Sequence, residues 1–309
     1  MSVIRIGTRA SALARTQAGM VAERLRAGLG VETELVDIST SGDRSAAPLA
    51  DIGGQGVFVG AVREAVVAGK VDVAVHSLKD LPTIPDVRVA LAAVPPRGDP
   101  RDALVARDSR TLGELPVGAR VGTGSPRRAA QLHALGLGIE VVAVRGNVET
   151  RLAKVADGEL DAVVLAKAGL VRLGRGAEVT EDLDPIQVLP APGQGALAVE
   201  VAAASTGLAG EVAESLDDRD TRAAVGAERS LLHTLEAGCT APVGALADVA
   251  DADDGPEIWL RAVVAALDGS HVVRLSTAGR PDDAEGVGRR LAEEMLAEGA
   301  AELMKETVS

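Results

Sequence analysis

The stretch Arg5-Ile6-Gly7-Thr8-Arg9-Ala10-Ser11 recurs as Arg120-Val121-Gly122-Thr123-Gly124-Ser125-Pro126, each copy leading from a short strand pattern into a helical one. A second pair follows in the same order: Gly69-Lys70-Val71-Asp72-Val73-Ala74-Val75, then Gly158-Glu159-Leu160-Asp161-Ala162-Val163-Val164. Either pair alone describes two generic βα units. Their matching order predicts two similar α/β domains facing each other across a cleft. Short apolar strands alternating with helices imply mainly parallel sheets with covered faces.

Working outward, strands are expected at 3–6, 31–38, 71–75, 120–122, 139–144 and 162–165. Helices are expected from residue 12, over 58–68, from 126 and over 148–156. Residues 41–56 are rich in Gly, Ser and Asp and read as a long loop, a candidate mobile cover. Pro95-Pro96-Arg97-Gly98-Asp99-Pro100 marks a first crossing between domains, and Leu189-Pro190-Ala191-Pro192-Gly193-Gln194-Gly195 a second. After a helix over 221–234, strand patterns near 243–246, 258–267 and 271–276 precede a helix over 282–304. That order suggests a small α+β domain with an antiparallel sheet. The expected division is 1–96 with 195–217, then 99–193, then 219–309.

Composition narrows the function. The chain has 309 residues, 47% of them hydrophobic and only 1% aromatic, with a net charge of −13. Cores must be built from Val, Leu, Ile and Ala. Stacking platforms for single-stranded nucleic acid are essentially absent, and the charge disfavours phosphate backbones. One cysteine, Cys239, permits no intramolecular disulfide. Residues 1–6 enter a strand pattern with no secretory signature, and no apolar run reaches membrane-spanning length. A cytoplasmic protein without membrane or nucleic-acid partners is expected.

In an acidic chain, arginines gathered at particular turns need a local explanation. Ser11 and Ser125 each stand where a helix begins. Either alone reads as an ordinary N-cap. Free N–H groups at a helix start also bind anions, and Arg9 flanks the first site while Arg127 and Arg128 flank the second. Guanidinium forks match carboxylates with two parallel hydrogen bonds. Arg145 follows a strand at its carboxyl end, where ligands of open α/β sheets bind, and Arg151 sits in the next helix. Arg172 ends another helix, where compensation of the helix dipole is an equal explanation. His76-Ser77-Leu78-Lys79-Asp80 follows the third strand. Asp80 could pair with Lys79; within an arginine-rich cleft it is also placed to stabilise a cation formed during reaction. No cluster has metal-ligand spacing. Cys239, between Gly238 and Pro242, reads either as a small buried hydrophobe or as an accessible thiol.

These residues together resemble the porphobilinogen deaminase (hydroxymethylbilane synthase) family over essentially the whole chain. The resemblance rests on His-Ser-Leu-Lys-Asp (76–80), Arg-Gly-Asn-Val-Glu-Thr-Arg (145–151) and the Gly-Cys loop at 238–239, in that order. It implies two periplasmic-binding-protein-like domains with mainly parallel sheets and a small α+β domain carrying the cofactor cysteine. It implies one dipyrromethane per chain, bound covalently through Cys239, on which four porphobilinogens condense head to tail, each pyrrole carrying an acetate and a propionate. Ammonia leaves at each addition, and hydroxymethylbilane is then released by hydrolysis for haem biosynthesis. By the same resemblance, Asp80 is catalytic and stabilises an azafulvene-like cation. Lys79, Thr123, Ser125, Arg127, Arg128 and Arg145 bind the cofactor, and Arg9, Ser11, Arg151 and Arg172 serve the substrate. No metal is implied, and a monomer is expected. The chain departs from the family at Gln55, where lysine is common, at Ala237, where glycine is common, and at Gly124, where serine is frequent. Ala237 is expected to stiffen the approach to Cys239. Two other readings are a noncatalytic, solute-binding-like module and a thiol hydrolase using Cys239.

Overall fold

The computed structural model describes residues 3–39, 59–238 and 241–305. The expected cover at 41–56, with Gln55, and the thiol of Cys239 lie outside them. The chain runs β1 (Val3–Arg9), α1 (Ala12–Leu29), β2 (Glu32–Ile38), α2 (Gly60–Val67), β3 (Val73–Ser77), β4 (Val89–Ala93) and β5 (Asp102–Ala106). It continues β6 (Arg120–Thr123), α3 (Pro126–Ala134), β7 (Glu140–Ala143), α4 (Val148–Ala156), β8 (Ala162–Ala166), α5 (Lys167–Arg172), β9 (Glu181–Asp182) and β10 (Leu197–Ala202). Last come α6 (Thr206–Leu216), α7 (Arg219–Thr234), β11 (Val243–Ala252), β12 (Gly255–Ala265), β13 (Val272–Gly279), α8 (Ala284–Ala297) and α9 (Ala300–Lys305).

Two compact units result: residues 1–98 with 196–222, and residues 99–195 with 223–309. The first holds a five-stranded sheet ordered β2-β1-β3-β10-β4. β10 alone runs against its neighbours, so four of the five strands point one way. Ile4, Ile6, Leu25, Val73 and Val199 fill one side of this sheet, and Val62, Val66, Val71 and Ala74 the other. The second unit repeats the arrangement as β7-β6-β8-β5-β9, with β5 reversed. In each sheet the reversed strand is the first strand the chain forms after a crossing segment.

The repeat legible in the sequence extends to single contacts. Arg5 N–H donates to Asp72 Oδ2 at 2.8 Å, and Asp72 N–H returns to the Arg5 carbonyl at 2.8 Å. Arg120 and Asp161 repeat both bonds, at 2.8 and 2.9 Å. Gly7 and Gly122 occupy the same place in β1 and β6. A Cβ on Gly7 would lie 2.9 Å from Val71 Cγ2, and one on Gly122 2.6 Å from Leu160 Cδ1. Val71 and Leu160 are themselves equivalent positions of the second repeated stretch. Each glycine therefore makes room for the residue that leads into the third strand of its sheet.

The second unit also carries an antiparallel sheet β11-β12-β13, whose core of Leu231, Ile258, Leu260, Leu291 and Met295 is distinct from those of the five-stranded sheet. The helix expected over 282–304 is two helices, α8 and α9, divided near Gly299, which takes the left-handed region at φ 91°. The third strand lies at 73–77 rather than 71–75, so His76 and Ser77 belong to it. The reason is register: β1 pairs Ile6 with Val73, and residues 70–72 form the turn before that pairing.

The close fit at Gly122 yields a test. Gly122→Ala is expected to lower stability by about 1–3 kcal/mol through overpacking. In the double variant with Leu160→Ala, the combined loss should fall short of the sum of the single losses, measured by urea unfolding. Additive losses would contradict the contact.

Candidate active site

In the first unit, β1 delivers Arg9 and Ser11 to the start of α1, and β3 delivers a 3-10 turn, Leu78–Asp80. Ser11 caps α1, its hydroxyl accepting from Ala14 N–H at 3.3 Å. Arg9, Ser11, Gln17, His76, Ser77 and Asp80 line one recess at these strand ends. The Asp80 turn is pinned at its root. Leu78 N–H donates to the Ala196 carbonyl at 3.0 Å, and Gln17 Nε2 donates to Ser77 Oγ at 3.0 Å. Asp80 and Lys79 are half-buried.

Beneath the recess lies an ionic group that the sequence did not announce. Arg63 on α2 clamps Glu200 on β10 with two hydrogen bonds, of 2.9 and 2.6 Å, and His76 Nε2 stands 3.4 Å from the same carboxylate. Burial alone would push the Glu200 carboxyl up. Arg63 and His76 outweigh it and hold the group at about 2.

In the second unit, Thr123 ends β6 and Ser125 caps α3. Ser125 N–H donates to Thr123 Oγ1 at 3.2 Å, and Ser125 Oγ accepts from Arg128 N–H at 3.4 Å. Arg127 and Arg128, in the first turn of α3, are only 3% and 5% exposed. Both meet Asp102 at the start of β5, which is fully buried. Arg128 Nε and Nη2 donate to Asp102 Oδ1 at 3.0 and 2.7 Å, and Arg127 Nη2 lies 2.8 Å from Oδ2. Arg128 Nη1 also donates to the Val164 carbonyl at 3.0 Å, and Arg127 Nη1 to the Leu189 carbonyl. Burial would raise the Asp102 carboxyl, but the two guanidinium groups hold it far below the usual carboxylate range. Arg127 Nε is buried without a hydrogen-bond partner.

Arg145 is exposed in the turn after β7, and Arg151 lies in the first turns of α4, whose cap is Asn147. Arg151 Nε donates to the Gly146 carbonyl at 2.9 Å. Burial, together with the positive fields of Arg128 and Arg145, lowers the proton affinity of Arg151. Arg172 closes α5, its Nη2 donating to the Gly195 carbonyl at 2.5 Å. The second unit thus assembles Thr123, Ser125, Arg127, Arg128, Arg145 and Arg151 around the ends of β6 and β7. Asp102 and Gln194 complete the group; neither stood among the candidate residues taken from the sequence. The sequence signal for Asp102 was faint: a charged residue directly before an apolar strand.

Two departures acquire reasons. A Cβ on Gly124 would stand 2.6 Å from the Val144 carbonyl oxygen, so a side chain there requires the turn before Arg145 to shift. Ala237 is 5% exposed and belongs to the C-terminal core. It follows Glu236, whose φ of 52° ends α7. Ala237 N–H donates to the Leu232 carbonyl and Glu236 N–H to that of His233, the Schellman pattern. Ala237 therefore acts as the apolar anchor that usually follows such a helix end; the expected stiffening toward Cys239 falls on a residue outside those described.

No helix among the described residues is long and apolar enough to cross a membrane. The protein is of the α/β class, and in each unit a capped helix start with neighbouring arginines stands at the end of a sheet strand. A family model, "Porphobilinogen deaminase, dipyromethane cofactor binding domain", matches residues 4–209, and the model of that family's C-terminal domain matches residues 223–297. Porphobilinogen deaminase of Mycobacterium bovis (strain BCG / Pasteur 1173P2) is 60% identical over 307 residues, covering 98% of each chain. That of Nocardia farcinica is 58% identical, covering 99% of this chain and 89% of its own. Among solved structures, a periplasmic substrate-binding protein of an ABC transporter from Coxiella burnetii shares 12% identity at a TM-score of 0.42, covering 69% of this chain and 91% of that one. The chain belongs to the porphobilinogen deaminase family, transferases with hydroxymethylbilane synthase activity that work in tetrapyrrole biosynthesis with a dipyrromethane cofactor. A cofactor rich in carboxylates fits what the second unit offers, because two buried guanidinium groups there share a single carboxylate.

The Glu200 carboxyl gives a pH prediction. Its folded value, about 2, lies below its ordinary 4.5, so its stabilisation is present above pH 4.5 and is lost as pH falls toward 2. Glu200→Gln should lower the melting temperature at neutral pH and flatten the acid limb of a melting-temperature profile across that window. An unchanged acid limb would contradict the assignment.

Proposed function

We propose that the start of α3 in the second unit, with Lys79 of the first, binds the carboxylates of a dipyrromethane primer attached through Cys239. The observation that carries this reading is the pair Arg127 and Arg128, nearly inaccessible and sharing one counter-ion, Asp102. Thr123, Ser125 and Arg145 complete the binding set. Arg127 and Arg128 act mainly through their field and by fixing the helix start, since several of their donors are spent inside the protein. Pro126 opens α3 without an N–H, and the Ser125 and Arg128 amides are spent in the cap, so the Arg127 N–H and the exposed Arg145 supply the direct contacts.

Arg9, Ser11, Arg151 and Arg172 serve porphobilinogen and the growing chain. The half-buried Asp80 holds negative charge beside the pyrrole whose ring becomes cationic as ammonia leaves. A carboxylate accelerates that step because the transition state carries more positive charge than the ground state. The recess shared by Arg9, Ser11 and Asp80 supports this: one cation and one hydroxyl can take the substrate carboxylates while Asp80 meets the ring. The tethered primer, when bound, supplies the pyrrole carbon to which the new unit is joined.

The proposal includes three domains, 1–96 with 195–217, 99–193 and 219–309. The separate core around Leu231 and Leu291 supports the third. It also includes a monomer working in the cytoplasm without a nucleic-acid partner. The net charge of −13 supports that last point.

Intact-protein mass spectrometry should show an increment equal to two linked pyrrole units, absent from Cys239→Ser. Asp80→Ala should retain the increment and lose turnover by about 10²-fold or more, as removal of an electrostatic stabiliser commonly does. An active protein of unmodified mass would refute the tether, and near-normal turnover in Asp80→Ala would refute the role of that carboxylate.

A further inference from the structure

Asp102 touches no surface and takes no step in the reaction proposed above, yet it sits at the centre of the second unit's polar core. Its Oδ1 accepts from Arg128 Nε and Nη2 and from Gln194 Nε2, the last at 2.8 Å. Gln194 is itself fully buried, and its Nε2 also donates to the Pro100 carbonyl at 2.8 Å. The carboxylate is thus held from the side of the crossing segments and offered to the two arginines on the other. Arg127, Arg128 and Arg151 are three cations, and Asp102 is the one carboxylate that the described contacts give to any of them. Isolated buried charges cost several kcal/mol each, so a group of this kind is stable only with an anion beside it.

We propose that Asp102 is a resident stand-in for the ligand's carboxylates: a positioning residue that lets the arginine site fold before the primer arrives. Resting on the anion-binding reading above, this explains why the site is built before the group it holds. While the primer is absent, Asp102 is the main source of negative charge for Arg127 and Arg128. Once carboxylates occupy the site, they share that task, and the dependence on Asp102 falls. Arg127 Nε, buried and unpartnered, fits a site whose compensation by Asp102 alone is incomplete. A merely structural ion pair would matter equally with and without the primer.

The test is a four-protein thermal comparison: the native holoprotein, Cys239→Ser, Asp102→Asn and the double variant. Asp102→Asn keeps the shape and one acceptor oxygen but removes the charge. It should acquire the primer mass. Its melting temperature should fall less below the holoprotein than the double variant falls below Cys239→Ser, by a margin of about 5 °C or more. Citrate, a small tricarboxylate, should raise the double variant's melting temperature more than it raises that of Cys239→Ser, against chloride at equal ionic strength. Should the double variant not fold unaided, its refolding yield in citrate against chloride provides the same readout. Equal losses in both backgrounds, no primer mass on Asp102→Asn, or no preferential citrate effect would each overturn the inference. If Cys239→Ser keeps the primer mass, the tether proposed above fails instead, and the citrate arm still judges Asp102.

Discussion

The arrangement that the rest of the second unit depends on is one buried carboxylate held between two buried guanidinium groups. Asp102 ties β5 to α3 through Arg127 and Arg128, whose other donors tie α3 to the Leu189 carbonyl in the return crossing and the Val164 carbonyl on β8. Breaking a buried pair of this kind by removing one partner typically costs about 3–5 kcal/mol, because the other charge remains. The arrangement is therefore a poor choice for stability alone. It fixes the first turn of α3 and leaves positive charge in excess where β6 and β7 end. On the function proposed above, a polycarboxylate ligand is what makes that excess useful.

The first unit solves a related problem differently. Its buried ionic group, Arg63 with Glu200 and His76, is closer to balanced, and the recess above it exposes one acid, Asp80, alongside Arg9. The repeated scaffold thus carries two electrostatic environments. In one copy the stretch after the glycine reads Thr-Arg-Ala-Ser, and in the other Thr-Gly-Ser-Pro-Arg-Arg. Moving the arginines from before the capping serine to after it changes an accessible cation into buried ones, while the strand, glycine and cap remain equivalent. In the function proposed above, these two environments are the substrate end and the cofactor end.

Much of this was legible from residues alone. The doubled Gly-Thr stretch and the doubled Gly-x-Val/Leu-Asp stretch encode local contacts, Asp72 to Arg5 and Asp161 to Arg120, so the repeat and the positions of Ser11 and Ser125 could be read directly. The reversed strands were not found. β5 and β10 are buried along nearly their whole length, and in sequence they are short apolar runs without alternation or turn signals. Their neighbours in the sheets come from distant parts of the chain. Asp102, Gln194 and Glu200 escaped for the same reason: a single polar residue beside an apolar strand acquires meaning only when its partner, 26 or 137 residues away, is brought to it. Arg127 and Arg128 were read as cations flanking the second helix start, but not as buried ones, because burial depends on how deeply α3 sets against β5 and β8.

The central claim is that the positive excess at the start of α3 exists to hold carboxylates of the tethered primer. A crystal structure of the holoprotein tests it most directly. The account predicts carboxylate oxygens of the primer within about 2.7–3.1 Å of the Arg127 N–H in the first turn of α3 and of the Arg145 guanidinium, with Asp102 still between Arg127 and Arg128. A primer whose carboxylates pair elsewhere, leaving the α3 start to water alone, would contradict it.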